Sequence, residues 1–359
     1  MENSPPIDRI SNLPDELLCH ILSFLPIQFA ITTTLLLSKR WTPLFKSFTS
    51  LHFYYQSSTF NVDVDAFNRY REFVHTVTLT TQFIINFHLH CCSTHWHIFP
   101  ESLLPSTILR SPTLRVLKLN NINVLGNISV DLPSLKTLHL TGVCFKNQEN
   151  FHKLLFRCPV LEDLKTIIYY TKRFRHCTTT SITKDFKILS KLITADVCQF
   201  KFPMMAIRNV WFLVLHISVS LHHVGDINFE CPVFQNLIQL QLHIRNFQNW
   251  DDVVELLQCC PKLQTLTIHK SAMNNNLSIN WRDPNPVPEC ISSHLRSCTI
   301  NYEGWKDELK FTKYILQNAR LLEVMKIKHK HKKPCLEELA SCPMISSECE
   351  LLVTSFFDT

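Results

Sequence analysis

One spacing governs most of this chain: an apolar residue, two others, a second apolar residue, one other, and a third apolar residue. It reads Leu114-x-x-Leu117-x-Leu119, then Leu135-x-x-Leu138-x-Leu140. It returns as Leu237-x-x-Leu240-x-Leu242 and Leu263-x-x-Leu266-x-Ile268. The last two apolar positions of each copy lie two apart, the spacing at which strand side chains return to the same face. The first two copies continue in step, with Ile122 and Val124, then Val143 and Phe145. Further copies are expected to start at Val74, Leu161, Val210, Leu295 and Leu322.

The segments ahead of these strands repeat as well. "NFHKLLFRCPVL" and "DVVELLQCCPKL" align on Cys158-Pro159 and Cys260-Pro261. Phe151, Leu154 and Leu155 in one, and Val253, Leu256 and Leu257 in the other, make one helical face. A residue before proline is pushed out of the α region, so each helix must end near its cysteine. Each unit is thus a strand plus a helix or irregular turn, with an apolar side it cannot bury alone. The copies at 114 and 135, and at 237 and 263, are 21 and 26 residues apart, inside the roughly 20–29-residue period of leucine-rich repeats. Stacked units predict an α/β solenoid, a horseshoe with a parallel sheet on its concave side. An ordinary α/β domain with leucine-rich strands is the alternative.

Composition closes several routes. Hydrophobic residues are 45% and charged residues 18% of 359, which suits an ordered chain. "VWFLVLHISVSL" (210–221) is the best apolar run and is shorter than the ~20 residues a bilayer needs. The first ten residues lack the basic and apolar regions of a secretory signal, so the fifteen cysteines are expected as free thiols in the cytoplasm, the nucleus or both. No C-x-x-C pair is present. The four glycines, Gly126, Gly142, Gly225 and Gly304, are too far apart for a dinucleotide fingerprint, a P-loop or a nucleophile elbow. The net charge of +6 is too small to argue for nucleic acid. "HLHCCSTHWH" (His88 to His97) is the densest run of ligand side chains, but its spacing fits no zinc signature, and alternation sends His88 and His90 to one strand face. "KIKHKHKKP" (Lys326 to Pro334) reads as a solvated basic run or an anion patch. No local motif assembles a catalytic constellation, so neither catalytic residues nor a cofactor or metal site are expected.

The N-terminal stretch differs. In "SNLPDELLCHILSFLPIQFAITTTLLLSKRW" (Ser11 to Trp41), Pro14 sits in a first helical turn, where it is tolerated. Asp15 and Glu16 place negative charge at the positive end of that helix. Leu17, Leu18, Ile21, Leu22 and Leu25 form a wide apolar stripe, and a second apolar helix covers roughly 30–37. So small a unit has more apolar surface than it can bury. Two readings stand open: a helix pair that docks a protein partner, or a cap on the open end of the solenoid.

"LPDELLCHILSFLP" followed by "LSKRW" resembles the F-box of plant F-box proteins. That module docks a substrate receptor onto the Skp adaptor of an SCF (Skp–cullin–F-box) ubiquitin ligase. The resemblance covers about residues 7–50 and implies adaptor contacts at Leu13, Pro14, Ile21, Leu22, Leu25, Pro26, Leu37 and Trp41. The chain departs from the family at Ile27-Gln28-Phe29-Ala30, where an acidic start for the second helix is usual. Near the other end, Trp281 to Ile327 is similar to the FBD domain of plant F-box/leucine-rich-repeat proteins. Pro288-Glu289-Cys290, Ser293-His294-Leu295, Tyr302, Gly304, Glu308 and Asn318-Ala319 carry that likeness.

The expected layout is therefore an all-α F-box (7–50), an irregular leucine-rich-repeat horseshoe (51–280) and an FBD region (281–359) that continues it. The implied role is a non-catalytic substrate-recognition subunit. Its partners would be the Skp adaptor, through it cullin and RING subunits, and an unidentified target protein, with no nucleic acid or membrane. The alternative is a binding scaffold whose degenerate F-box joins no ligase. Strand alternation places Lys118, His139, Gln241 and Thr267 on the exposed side, with Arg115 and Lys136 nearby, as candidate target-binding residues.

Overall fold

The computed structural model describes residues 10, 12–37, 40–41, 43–56, 63–92, 102–167, 187–198, 202–217, 231–245, 250–271, 283–302, 306–329, 339 and 341–355. The chain is mixed α/β and divides into two compact units, 1–161 with 167–182, and 162–166 with 183–359. Among the described residues no helix is long and apolar enough to cross a membrane.

The first unit opens with helices α1 (Asp15–Ser23) and α2 (Ile27–Leu37) and a 3-10 turn at Leu44–Ser47. The all-α expectation for the N-terminal module holds only in part. Its third segment is a single tight turn, and strand β1 (Ser50–Gln56) already begins at its end. Helix α3 (Val64–Thr80) follows, its first turn capped by the Asp63 carboxylate, which accepts from the Ala66 N–H at 2.8 Å. A strand copy was expected to start at Val74, and here the structure differs. Phe67, Tyr70, Val74 and Val77 are buried on one side of α3, so the three-to-four-residue period of a helix prevails over the strand pattern.

Strands β2 (Asn86–Cys92), β3 (Val116–Asn120) and β5 (Thr137–Thr141) then add to β1 in parallel, in the order β1-β2-β3-β5. The short β4 (Asn123–Val124) and β6 (Cys144–Phe145) pair separately. Leu117, Leu119, Leu138 and Leu140 are buried at the leucine positions of the pattern, and each strand starts two residues after its first leucine. Helix α4 (Gln148–Phe156) stops at the cysteine-proline step. There the Cys158 thiol donates to the Leu154 carbonyl at 3.1 Å, occupying one of the carbonyls a helix end leaves over.

Among the described residues the second unit is a run of eight parallel strands, each paired with the next. They are β7 (Asp163–Ile167), β8 (Thr194–Cys198), β9 (Phe212–Ile217), β10 (Gln239–Arg245), β11 (Thr265–Ser271), β12 (Ser297–Tyr302), β13 (Val324–His329) and β14 (Glu350–Ser355). Helices α5 (Asp251–Gln258), α6 (Glu289–Ser293) and α7 (Lys306–Asn318) each precede a strand. Val253, Leu256 and Leu257 of α5, and Phe311, Ile315 and Leu316 of α7, are buried. The α5 end repeats that of α4: the Cys260 thiol donates to the Leu256 carbonyl at 3.2 Å. Strands β12 and β13, from the region similar to the FBD, extend the ladder of β10 and β11 without interruption.

Candidate functional site

Two surfaces carry the candidate residues. On the first, the faces of α1 divide. Leu18 and Leu22 turn inward and are buried together with Ile27, Ala30, Ile31, Trp41 and Leu44. Leu17, Ile21 and Phe24, spaced four and three apart, lie on the outer side, and Phe24 keeps 75% of its surface exposed. Leu13 and Leu25 are half-buried, while Pro14 and Pro26 are exposed. Of the residues that the F-box likeness singles out, Leu22 and Trp41 are thus buried within the module, while Ile21 and the two prolines are open. Leu37 closes α2, but its side chain lies outside the described residues. Leu17 and Phe24 stand outside that set yet are exposed beside Ile21, and their three-and-four spacing with it was the signal.

The polar rim of this module is held by one arginine. Arg40 Nη2 donates to the Leu13 carbonyl at 2.6 Å and to Asp15 Oδ1 at 2.7 Å, and its Nε donates to the same Oδ1 at 3.1 Å. This fastens the "SKRW" end to the start of α1. Helix α2 has no acidic residue in its first turn, and Phe29, in that turn, is exposed.

The second surface is the polar side of the strands. In the first unit Lys118 and His139 are register partners, both half-buried, with Arg115 and Lys136 exposed just before them. In the second unit Gln241 and Thr267 are likewise register partners. Sequence alternation placed these side chains, and with them His88 and His90, but did not single out His52, His216, His243 or His269. His88 and His90 do share one face of β2; His95 and His97 lie outside the described residues. Among the described residues no three His, Cys, Asp or Glu side chains converge as metal ligands.

The histidines stack across strands. His52 and His88 have ring centroids 4.2 Å apart and planes within 16°. In the second unit His216, His243 and His269 form a column at 4.7 and 4.6 Å. His216 Nε2 lies 2.8 Å from Asp196 Oδ1, and Lys165 Nζ lies 2.6 Å from Asp196 Oδ2. Burial pushes the Asp196 carboxyl up, but hydrogen bonds from His216 and Lys165 outweigh it and hold the group below its ordinary range. His243 is pushed down to about 4 by burial first, then by its two stacked neighbours. The arrangement offers imidazole N–H donors and a few cations along the polar strand face.

Comparison with known proteins divides the chain in the same order. The F-box domain family matches residues 10–53. The leucine-rich repeats of the family described as FBD-associated F-box protein At5g56370 match residues 86–198, and the FBD family matches 283–327. Similarity to individual proteins of Arabidopsis thaliana is nearly end to end. The putative FBD-associated F-box protein At5g56820 is 29% identical over 98% of this chain and 96% of its own length. The FBD-associated F-box protein At3g52670 is 27% identical over 96% of this chain and 97% of its own. The F-box/FBD/LRR-repeat protein At4g26340 is 29% identical over 96% of this chain and all of its own, 100%. With three domain matches in the order F-box, repeats and FBD, the chain is similar over nearly its whole length to plant F-box/FBD/leucine-rich-repeat proteins.

Proposed function

We propose that this protein is the substrate-recognition subunit of an SCF-type E3 ubiquitin ligase, working in the cytoplasm, the nucleus or both. The F-box docks the Skp adaptor and through it the cullin and RING subunits. The polar strand face, taken as the inner side of a curved solenoid that runs on through the FBD region, holds a target protein. Ubiquitin chemistry then belongs to other subunits, and this chain contributes proximity.

The observation that supports this reading best is the apolar outer face of α1, with Leu17, Ile21 and Phe24 exposed inside the matched F-box. Leu13, Pro14, Leu25, Pro26 and Leu37 complete the proposed contact set, and Leu22 and Trp41 support it from beneath. Co-purification of the tagged full-length chain with Skp adaptor and cullin tests it. Capture of both is expected, and their absence under native conditions overturns it.

A second reading, a scaffold that joins no ligase, is favoured by the first turn of α2, which has no acid to meet the helix dipole. Phe29→Asp distinguishes the two. Adaptor capture that is kept or strengthened supports a working F-box with a weak helix start; capture that vanishes makes Phe29 an apolar contact.

A further inference from the structure

Among the described residues, the outward positions of strands β1, β2, β3 and β5 carry no carboxylate. Every second residue of β1, β2, β3 and β5 points to this side, and none of them is Asp or Glu. One row crosses the four strands in register as His52, His88, Lys118 and His139. Tyr54 and His90 form the next row, with ring centroids 5.0 Å apart. Arg115 and Lys136 are exposed where β3 and β5 begin.

We propose that this face docks an acidic polypeptide segment, whose carboxylates accept hydrogen bonds from the stacked imidazoles and from Lys118, and that docking draws protons onto the histidines. The proposal rests on the strand face being the target-binding surface, and it names the class of target.

Charge complementarity selects the occupant. The groups facing His88 are His52 and Tyr54 from β1, His90 and Cys92 from its own strand, Lys118 from β3 and His139 from β5. No acid is among them. Burial pushes His88 down to about 4, and His52, Lys118 and His139 push it further in the same direction. His52 is lowered by burial and then by Lys118, and His90 by burial. The free face therefore has imidazoles, those of His52, His88 and His90, that burial holds in the neutral form, with Lys118 adding to the effect at His52 and His88. A carboxylate laid across the row works against that and favours the imidazolium forms. A nucleic acid fits less well. Phosphate backbones are gripped by several permanent cations, and this row has one lysine. An acidic chain supplies isolated single charges, which imidazole N–H groups can meet one at a time.

Fluorescence anisotropy of the full-length protein with a labelled peptide of alternating glutamate and serine tests the idea. Affinity should rise about tenfold or more between about pH 7.5 and about pH 5.5, since each linked proton contributes up to tenfold per pH unit. Lys118→Gln should weaken binding at both values, and His88→Gln should reduce the gain on acidification. If a variant fails to fold, the imidazole NMR signals of the unaltered protein still decide. The His88 titration midpoint should move up when the peptide is added.

Equal affinity at both pH values, no binding at either, or equal binding of an alternating lysine and serine peptide overturns the proposal. So does displacement of the peptide by an oligouridylate at lower charge concentration. Adaptor capture with no peptide binding would remove the acidic target alone. Peptide binding without adaptor capture would instead remove the ligase reading.

Discussion

Lys270 Nζ and Glu308 Oε1 lie 3.0 Å apart with side chains only 3% and 0% exposed. The lysine closes β11 and the glutamate opens α7, so this ion pair sits where the repeats meet the FBD region. Lys270 also stands 5.6 Å over the Trp250 ring, and Trp250 stacks on Phe311 of α7 at 4.1 Å. A buried pair of this kind is dear to break and cheap to replace, because desolvation offsets most of its attraction. Glu308→Ala strands a buried ammonium and should destabilise the protein by about 3–5 kcal/mol. Lys270→Met combined with Glu308→Leu should recover most of that loss. Urea unfolding of the three proteins measures both, and a loss below about 1 kcal/mol for Glu308→Ala would contradict the burial.

The two faces of α1 should separate binding from stability. Phe24→Glu with Leu17→Glu alters exposed positions, so the melting curve should move by no more than about 0.5 kcal/mol. Adaptor capture should be lost, at about 2–4 kcal/mol for each hot-spot residue. Leu22→Ala should do the reverse in order, lowering stability by about 2–5 kcal/mol and weakening capture only as the module unfolds. Thermal melts beside quantitative pull-downs give the comparison.

Acid should destabilise the fold earlier than carboxylate titration would. His88 and His243 are held at about 4 and His269 is also lowered, by burial and then Lys328. A base whose folded value lies below its unfolded one binds fewer protons when folded. Its contribution is complete above the ordinary histidine value near 6.5 and declines as pH falls from there towards about 4. Asp196, held low, adds loss only at still lower pH. Urea midpoints taken at steps across this window should fall steadily, and His243→Gln should flatten the slope. A level profile would refute the account.

Removing residues 281–359 should leave β11 as an unpaired edge, because β12 now occupies it along Thr265–Ile268. Exposed parallel edges recruit other chains. The truncated protein is expected to aggregate, as light scattering would show, whereas a soluble and cooperatively folding 51–280 fragment would place a true domain boundary near 281.

The strand ladder was legible wherever leucine filled the pattern and obscure where another residue served. β1 is built on Phe48-x-x-Leu51-x-Phe53 and β2 on Ile84-x-x-Phe87-x-Leu89, all buried. β8 is built on Leu192-x-x-Ala195-x-Val197, where a small residue lowered the contrast. The sheet needs only an apolar side chain that fits its neighbours, so residue type varies while burial does not. Val74 misled for the opposite reason, having apolar neighbours at both helical and strand spacing. Of the residues on the polar strand face, Lys118 and His139 followed from alternation alone. The histidine column did not, because register between strands far apart in sequence fixes which rings meet.

The cysteine-proline ends of α4 and α5 turn these repeats into reporters of their own motion. Burial pushes the Cys158 thiol up to about 12 and Cys260 well above its ordinary value, so both stay protonated and unreactive while the helix ends are closed. Each thiol can meet an alkylating reagent only when its last helical turn lifts away from the carbonyl it caps. The two modification rates, followed by mass spectrometry under native conditions, therefore time the opening of two individual repeats, long before either unit as a whole comes apart.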